Sequence, residues 1–265
     1  MQREDHQNEV LFAEKRFIEL SRLAYQRDYP VYSDFLNLNE LNILYTLPKE
    51  ELYTKCLTFG GYESAERQIA AFLPDALYLR WRENPVLIAQ SFPYVVLEIS
   101  PLYPKYAEPL THRDFLGAIL NLGIDRCKIG DILLDNSRAV VFVQEKMVEF
   151  LGDELTRVRH TAVQVSRKNQ ADFTYEPQYE ERKGTVASVR LDSLLSLAFS
   201  SSRTQLSSLI EGAKVFVNGK LITSNGYQPK EGDIISVRGM GKFQYMGILS
   251  RTKKGRLYIL VRKYM

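Results

Sequence analysis

The spacing of apolar residues changes period several times along the 265 residues. In residues 8–27, Val10, Phe17, Leu20 and Ala24 share a face with Arg22 and Arg27 opposite, which predicts an amphipathic helix ended by Tyr29-Pro30. A second helical segment is expected after Ser33, and Pro48 interrupts the chain beyond it. Residues 57–75 read as a short extended piece, a Gly60-Gly61 turn and a helix opened by Ser64 and stopped before Pro74. From 85 to 168 the period shortens. β-Branched runs at 86–89 and 94–100 predict strands, and Thr111 with Asp114 makes a capping box for a helix that ends at Gly123. Strands are expected at 129–134 and 139–143, joined at Asp135-Asn136-Ser137, followed by a helix over 145–155 and a strand over 160–166. Strand, helix, strand, strand, helix, strand is the split βαβ, or ferredoxin-like, plan.

Residues 190–220 are patterned most sharply. Leu191, Leu194, Leu195 and Ala198 form a helical stripe, and Ser202 with Gln205 makes a capping box for a second helix. Leu206, Leu209 and Ile210 line that helix, and Gly212 reads as its C′ residue. Val215 and Val217 then alternate into Asn218-Gly219, the strongest short hairpin signal, with Leu221 and Ile222 returning. Arg190, Arg203, Gln205, Lys214, Asn218 and Lys220 lie off the stripes or at element ends. Arg203 sits in a first helical turn, where a cation mildly opposes the helix dipole but suits an arriving phosphate. From Lys242 on, Phe243, Tyr245 and residues 247–249 lead through Lys253-Lys254-Gly255 into a return over 256–261, a hairpin with a basic tip.

Charge sharpens this picture. Residues 183–265 hold 14 Lys and Arg against 4 Asp and Glu, a balance of +10, while the rest carries −7 and the whole chain +3. Such asymmetry points to a polyanionic partner for the basic part. Composition at 45% hydrophobic supports two or three domains, read as 1–74, 75–182 and 183–265. No stretch approaches a membrane span and the start has no signal-peptide core, so a cytoplasmic protein is expected. Cys56 and Cys127 are too few and too far apart for a disulfide framework or a zinc site and read as buried reduced thiols.

The order R-L-D, S-R-x-Q-x-x-x-L-I, V-x-V-N-G-K and G-D, over residues 189–238, resembles the small RNA-binding domain named after ribosomal protein S-four. That resemblance implies that Arg190, Ser202, Arg203, Gln205, Lys214, Asn218 and Lys220 lie on or beside an RNA-facing surface. Arg238, Lys242, Lys253 and Lys254 extend the candidate set into the tail. Relatives often carry a further basic residue in the second helix, where this chain has Ser207 and Ser208.

Other motifs lead nowhere catalytic. Phe59-Gly60-Gly61-Tyr62 matches a sugar-kinase signature without that fold's length or phosphate loop, and His112-Arg113-Asp114 lacks the Asn spacing and glycine loop of a protein kinase. His112 and His160 have no third metal ligand at suitable spacing. The only Arg-Leu-Asp, 190–192, runs into Ser-Leu-Leu, unlike a pseudouridine synthase stretch, and no glycine-rich cofactor loop comes after a strand.

With its helical start, the segments FGGYESAER and THRDFLGAILNLGIDRCKIGDI and the C-terminal RNA domain, the chain resembles the YlmH family, bacterial RNA-binding proteins whose genes lie among cell-division genes. The resemblance implies a non-enzymatic binder of structured RNA, rRNA and peptidyl-tRNA, on the large ribosomal subunit in ribosome-associated quality control, with no cofactor and no metal. The fold expected is α+β: a helical N-terminal region, a ferredoxin-like (RRM-like) middle domain and the small C-terminal domain of ribosomal-protein-S-four type. An RNA-modifying enzyme and a division-linked factor binding protein through the N-terminal domains are the competing readings. Aromatic platforms in the small domain, residues 189–238, are few (Phe199, Phe216, Tyr227), which favours folded RNA over single strands.

Overall fold

The computed structural model describes residues 2–135, 137–169, 173 and 177–264, and of 2–8, 85, 203 and 204 the backbone alone. Two compact units divide the chain, 1–175 and 176–265. In chain order the first holds α1 (Gln2–Arg27), β1 (Val31–Leu36), α2 (Leu38–Thr46), β2 (Lys55–Phe59), β3 (Gln68–Leu73), α3 (Asp75–Arg82), α4 (Pro85–Ser91) and β4 (Tyr94–Pro101). It continues with α5 (His112–Asn121), β5 (Ile129–Asp135), β6 (Arg138–Gln144), α6 (Val148–Glu154), β7 (Arg157–Val158) and β8 (Thr161–Lys168).

The expected ferredoxin-like plan is present. Strands β4, β5, β6 and β8 form an antiparallel sheet in the order β5-β6-β4-β8, with β7 added outside β8. Val95, Leu97 and Ile99 of β4 alternate toward Phe115 and Ile119 of α5 and Leu151 of α6. Tyr94, Val96, Val140 and Phe142 point the other way, and there they meet a second sheet.

That second sheet, in the order β1-β3-β2, corrects the helical reading of the N-terminal region. β3 is a strand where a helix is expected after Ser64, and β1 occupies the stretch beyond Tyr29-Pro30 where a helix is expected after Ser33. The reason is burial on both faces. Ile69, Ala71 and Leu73 pack against β4 and β6, whereas Ala70 and Phe72 pack against Phe17 and Leu20 of α1 and Leu41 and Leu44 of α2. A central strand covered on both sides reads as a continuous apolar run, and periodicity cannot separate it from a helix. The helix after Ser33 starts at Leu38 instead, where Asn37 accepts from the Asn39 and Glu40 amides and Glu40 accepts from the Asn37 amide. The run at 86–89 is likewise not a strand. Asn84 caps the Val86 and Leu87 amides and Pro85 takes the first helical position, so α4 forms despite its β-branched residues.

The second unit contains β9 (Tyr179–Val186), α7 (Leu191–Phe199), α8 (Arg203–Glu211), β10 (Val215–Val217), β11 (Lys220–Leu221), β12 (Ile234–Val237), β13 (Gly241–Arg251) and β14 (Leu257–Tyr264). Its strands form one antiparallel sheet in the order β11-β10-β12-β13-β14-β9. The stripe Leu191, Leu194, Leu195 and Ala198 is fully buried with Leu206 and Ile210 against Val215, Ile235, Phe243 and Ile259. β9 runs across position 182, the boundary expected from charge, because eight of its residues pair with β14.

Candidate nucleic-acid interface

The two helices of the second unit are set by local chemistry. Arg190 precedes α7 and its guanidinium meets Asp192 at 3.3 Å. Ser200 takes a left-handed conformation that ends α7, and Ser202 caps α8 by accepting from the Gln205 amide at 3.4 Å. Only that half of the expected capping box is made through Ser202. At the far end Ala213, not Gly212, adopts positive φ (55°). Gly212 is needed for closeness instead: a Cβ there would stand 2.8 Å from the Ser208 carbonyl. Ser202, Gln205 and Lys214 are exposed at the two ends of α8; Arg203 opens that helix, but its side chain lies outside the described part of the structure.

Lys214 and Arg238 come together, since the Arg238 amide donates to the Lys214 carbonyl at 2.9 Å. Asn218 and Gly219 both have positive φ, the turn expected of Asn-Gly, and Lys220 is exposed just beyond. The Asn218 amide is engaged inside the protein. Its Nδ2 donates to Asp233 at 2.8 Å and its Oδ1 accepts from the Ile234 amide at 2.9 Å, so it ties the hairpin tip to the start of β12. Arg238 lies over the Phe216 ring at 5.6 Å, and the Lys242 ammonium stands 4.9 Å from the centre of the Tyr264 ring. Phe216 and Lys242 alternate with core residues of β10 and β13, so both face away from α7 and α8. Lys253 and Lys254 are exposed in the turn between β13 and β14, at the opposite end of the eleven-residue β13 from Lys242. The candidate set is therefore not one patch: part surrounds α8 and the first hairpin, part lies behind the sheet, and part tips the long hairpin.

Sequence reasoning missed what the FGGYESAER and DRCKIGD segments do together. The Asp131 carboxylate accepts from the Tyr62 hydroxyl (2.7 Å), the Glu66 amide (2.8 Å) and the Arg67 amide (3.1 Å). The Arg67 guanidinium donates to the carbonyls of Ile129, Phe35 and Arg126, and Arg126 donates to Ile129 and Gly130. Burial, and then the charge of Arg67, pull the Arg126 guanidinium down to about 10. Gly61 is obligatory: its φ is +102°, and a Cβ would stand 2.3 Å from the Phe142 ring. The whole arrangement joins the three-stranded sheet to the five-stranded one. Asp114 is also structural, accepting from the amide and hydroxyl of Thr111 at the start of α5. Cys56 and Cys127 are free thiols that the structure leaves partly exposed rather than buried. Partial burial still pushes the Cys56 thiol up to about 11, so it stays protonated. Among the described residues no helix is long and apolar enough to cross a membrane, and no three His, Cys, Asp or Glu are grouped to hold a metal.

Two family models match stretches of the chain. Residues 89–172, spanning β4 to β8, match the family described as "Putative RNA-binding domain in YlmH", and residues 189–235 match the S4 domain. A Bacillus subtilis (strain 168) protein, ribosome-associated protein quality control protein P2, is 27% identical over 243 residues, covering 90% of this chain and 89% of that one. The solved structure of cell division protein ylmH from Streptococcus pneumoniae aligns with a TM-score of 0.48 and 22% identity, covering 63% of this chain and 93% of that one. On an α+β framework the chain thus carries a region similar to the RNA-binding domain described in YlmH, followed by an S4 domain.

Proposed function

We propose that the protein binds structured RNA without altering it, acting in the cytoplasm on the large ribosomal subunit, where it helps hold peptidyl-tRNA during ribosome-associated quality control or rescue of stalled chains. The observation that carries this reading is the S4 domain with Arg190, Gln205, Lys214 and Lys220 exposed around α8 and the first hairpin. Helix ends and hairpin tips bearing cations suit phosphates of a folded RNA, whose backbone presents a fixed spacing of charge. The Bacillus subtilis relative is by name a ribosome-associated quality control protein and corresponds to this chain over nearly its whole length. A non-enzymatic role is supported by the carboxylates: Asp131 is filled with three donors and Asp114 is held by Thr111.

The test is a sucrose gradient of lysate at low and high salt, probed for this protein, with the bound RNA analysed by mass. Co-sedimentation with large subunits at low salt, strongest when they carry stranded peptidyl-tRNA, is expected. Protein confined to the free fractions at low salt would refute the ribosomal assignment, and a modified nucleotide appearing only with the protein would make it an enzyme.

A further inference from the structure

The sheet of the second unit has a second face. Along β14, Ile259 and Val261 point into the core under α7 and α8, so Tyr258, Leu260, Arg262 and Tyr264 point away from it. The antiparallel register places Tyr179 opposite Tyr264, Glu181 opposite Arg262 and Lys183 opposite Leu260, and on the other side Gln244 opposite Arg262. Lys242 shares this outward side; Phe216 lies on it too but is fully buried beneath Arg238, so the accessible part of the face is at β13, β14 and β9. Among the described residues, the cations Lys183, Arg238, Lys242 and Arg262 outnumber the acid Glu181 on this part of the face; Glu181 pairs with both Arg262 (3.1 Å) and Lys183 (3.4 Å), so a phosphate there would have to compete with that carboxylate.

The cations are interleaved with rings. Tyr179 and Tyr264 meet edge to face with centroids 5.1 Å apart, the Arg262 guanidinium lies 5.6 Å over Tyr179, and the Lys242 ammonium 4.9 Å over Tyr264. Tyr179 is 40% exposed and the Arg262 side chain 37%. Cations set among half-exposed aromatic rings are what an unpaired nucleotide needs: a π-face for the base and charge for the phosphate. At an exposed site the cation–π contact is the weaker of the two interactions a tyrosine can make. A base can therefore compete with the lysine for the face of the ring. A duplex cannot use these rings, because its bases are stacked on each other.

We propose that this outward face, formed by β13, β14 and β9, binds single-stranded RNA, with bases on Tyr179 and Tyr264 and phosphates on Lys183, Lys242 and Arg262. It rests on the reading of this unit as an RNA binder and adds a second face to the S4 surface, so that a duplex and its unpaired extension would be held on different sides.

The experiment measures anisotropy of three labelled RNAs with the full chain: a blunt hairpin, the same hairpin with a single-stranded 3′ extension, and a uridine oligomer of about eight nucleotides, within the range such surfaces span. The extension should raise affinity. Tyr179→Ala with Tyr264→Ala should remove that gain, by roughly five- to a hundredfold, and leave blunt-hairpin affinity unchanged. Tyr179→Phe with Tyr264→Phe should keep it, which separates lost stacking from a damaged fold. An extension that adds nothing, or a gain that survives the alanine pair, overturns the proposal; a face reserved for a protein partner predicts that the extension adds nothing. Blunt-hairpin binding reports separately on the S4 surface: its loss with the extension effect retained would sink the duplex reading alone, and failure to bind any of the three RNAs would sink both.

Discussion

Arg67 donates to three carbonyls from three segments, Phe35 in β1, Arg126 in the turn before β5 and Ile129 in β5. A planar fork can do this and a lysine ammonium cannot, since its donors radiate from one point. Arg67→Lys should leave buried carbonyls unpaired and lower the stability of the first unit by roughly 2–4 kcal/mol in denaturant unfolding. Asp34 gives a pH-dependent test at the same joint. Burial alone would raise its pKa, but hydrogen bonds from Lys128 and Gln144, together with the Lys128 charge, outweigh that and hold it below the ordinary carboxylate value. A depressed folded pKa gives stability that is complete above the unfolded value, about 3.9, and lost as pH falls through the lower folded one. Asp34→Asn should therefore cost about 1 kcal/mol near neutral pH, limited by partial exposure, and less at an acid pH below the unfolded value. Equal destabilisation at both pH values would refute the ion-pair account.

At the scale of elements, the S4 hairpin and helices are held by a few local bonds. Asn218 belongs to the hairpin first and to any RNA second, because both ends of its amide are used by Asp233 and Ile234. Asn218→Ala is expected to lower the stability of the second unit by about 1–2 kcal/mol, measured by thermal unfolding, with RNA affinity falling only as far as the fold does. Lys220→Ala, which removes an exposed charge past the turn, should do the reverse: weaker RNA binding at unchanged melting temperature. Ser202→Ala removes the side-chain cap of α8. The bond is long at 3.4 Å, so the cost should sit toward the low end for such caps, roughly 0.5–1 kcal/mol.

For the whole molecule, charge is divided between the two units. Residues 176–265 carry 15 Lys and Arg to 7 Asp and Glu, and residues 1–175 carry 20 to 25. Structured RNA should bind the 176–265 fragment with a steep salt dependence, about 0.7–0.9 log units of slope for each phosphate contacted. A 1–175 fragment binding as tightly as the full chain would sink the assignment of RNA affinity to the second unit. The fragment boundary matters: cutting at 183 would remove half of β9 from a strand that pairs along its length with β14.

What the sequence determined by itself is whatever rests on neighbours a few residues apart. The stripe of α7, the Ser202 cap, the Asn218-Gly219 turn and the βαββαβ order of the middle region are all written in spacings of two to four residues and in caps, and each appears where those spacings put it. Local signals misled wherever tertiary burial overrode them. β3 looks helical because both its faces are covered, and α4 looks extended because its β-branched residues hide a strong Asn-Pro start. Only the tertiary structure could decide that Arg67 and Asp131 meet across the joint of two sheets, or that Tyr179 lies opposite Tyr264. Such pairs are many residues apart, and the free energy that joins them comes from a sheet and a core that no local window contains. The aromatic face behind the S4 fold is for that reason a property of the pairing of β9 with β14, invisible until the chain has folded.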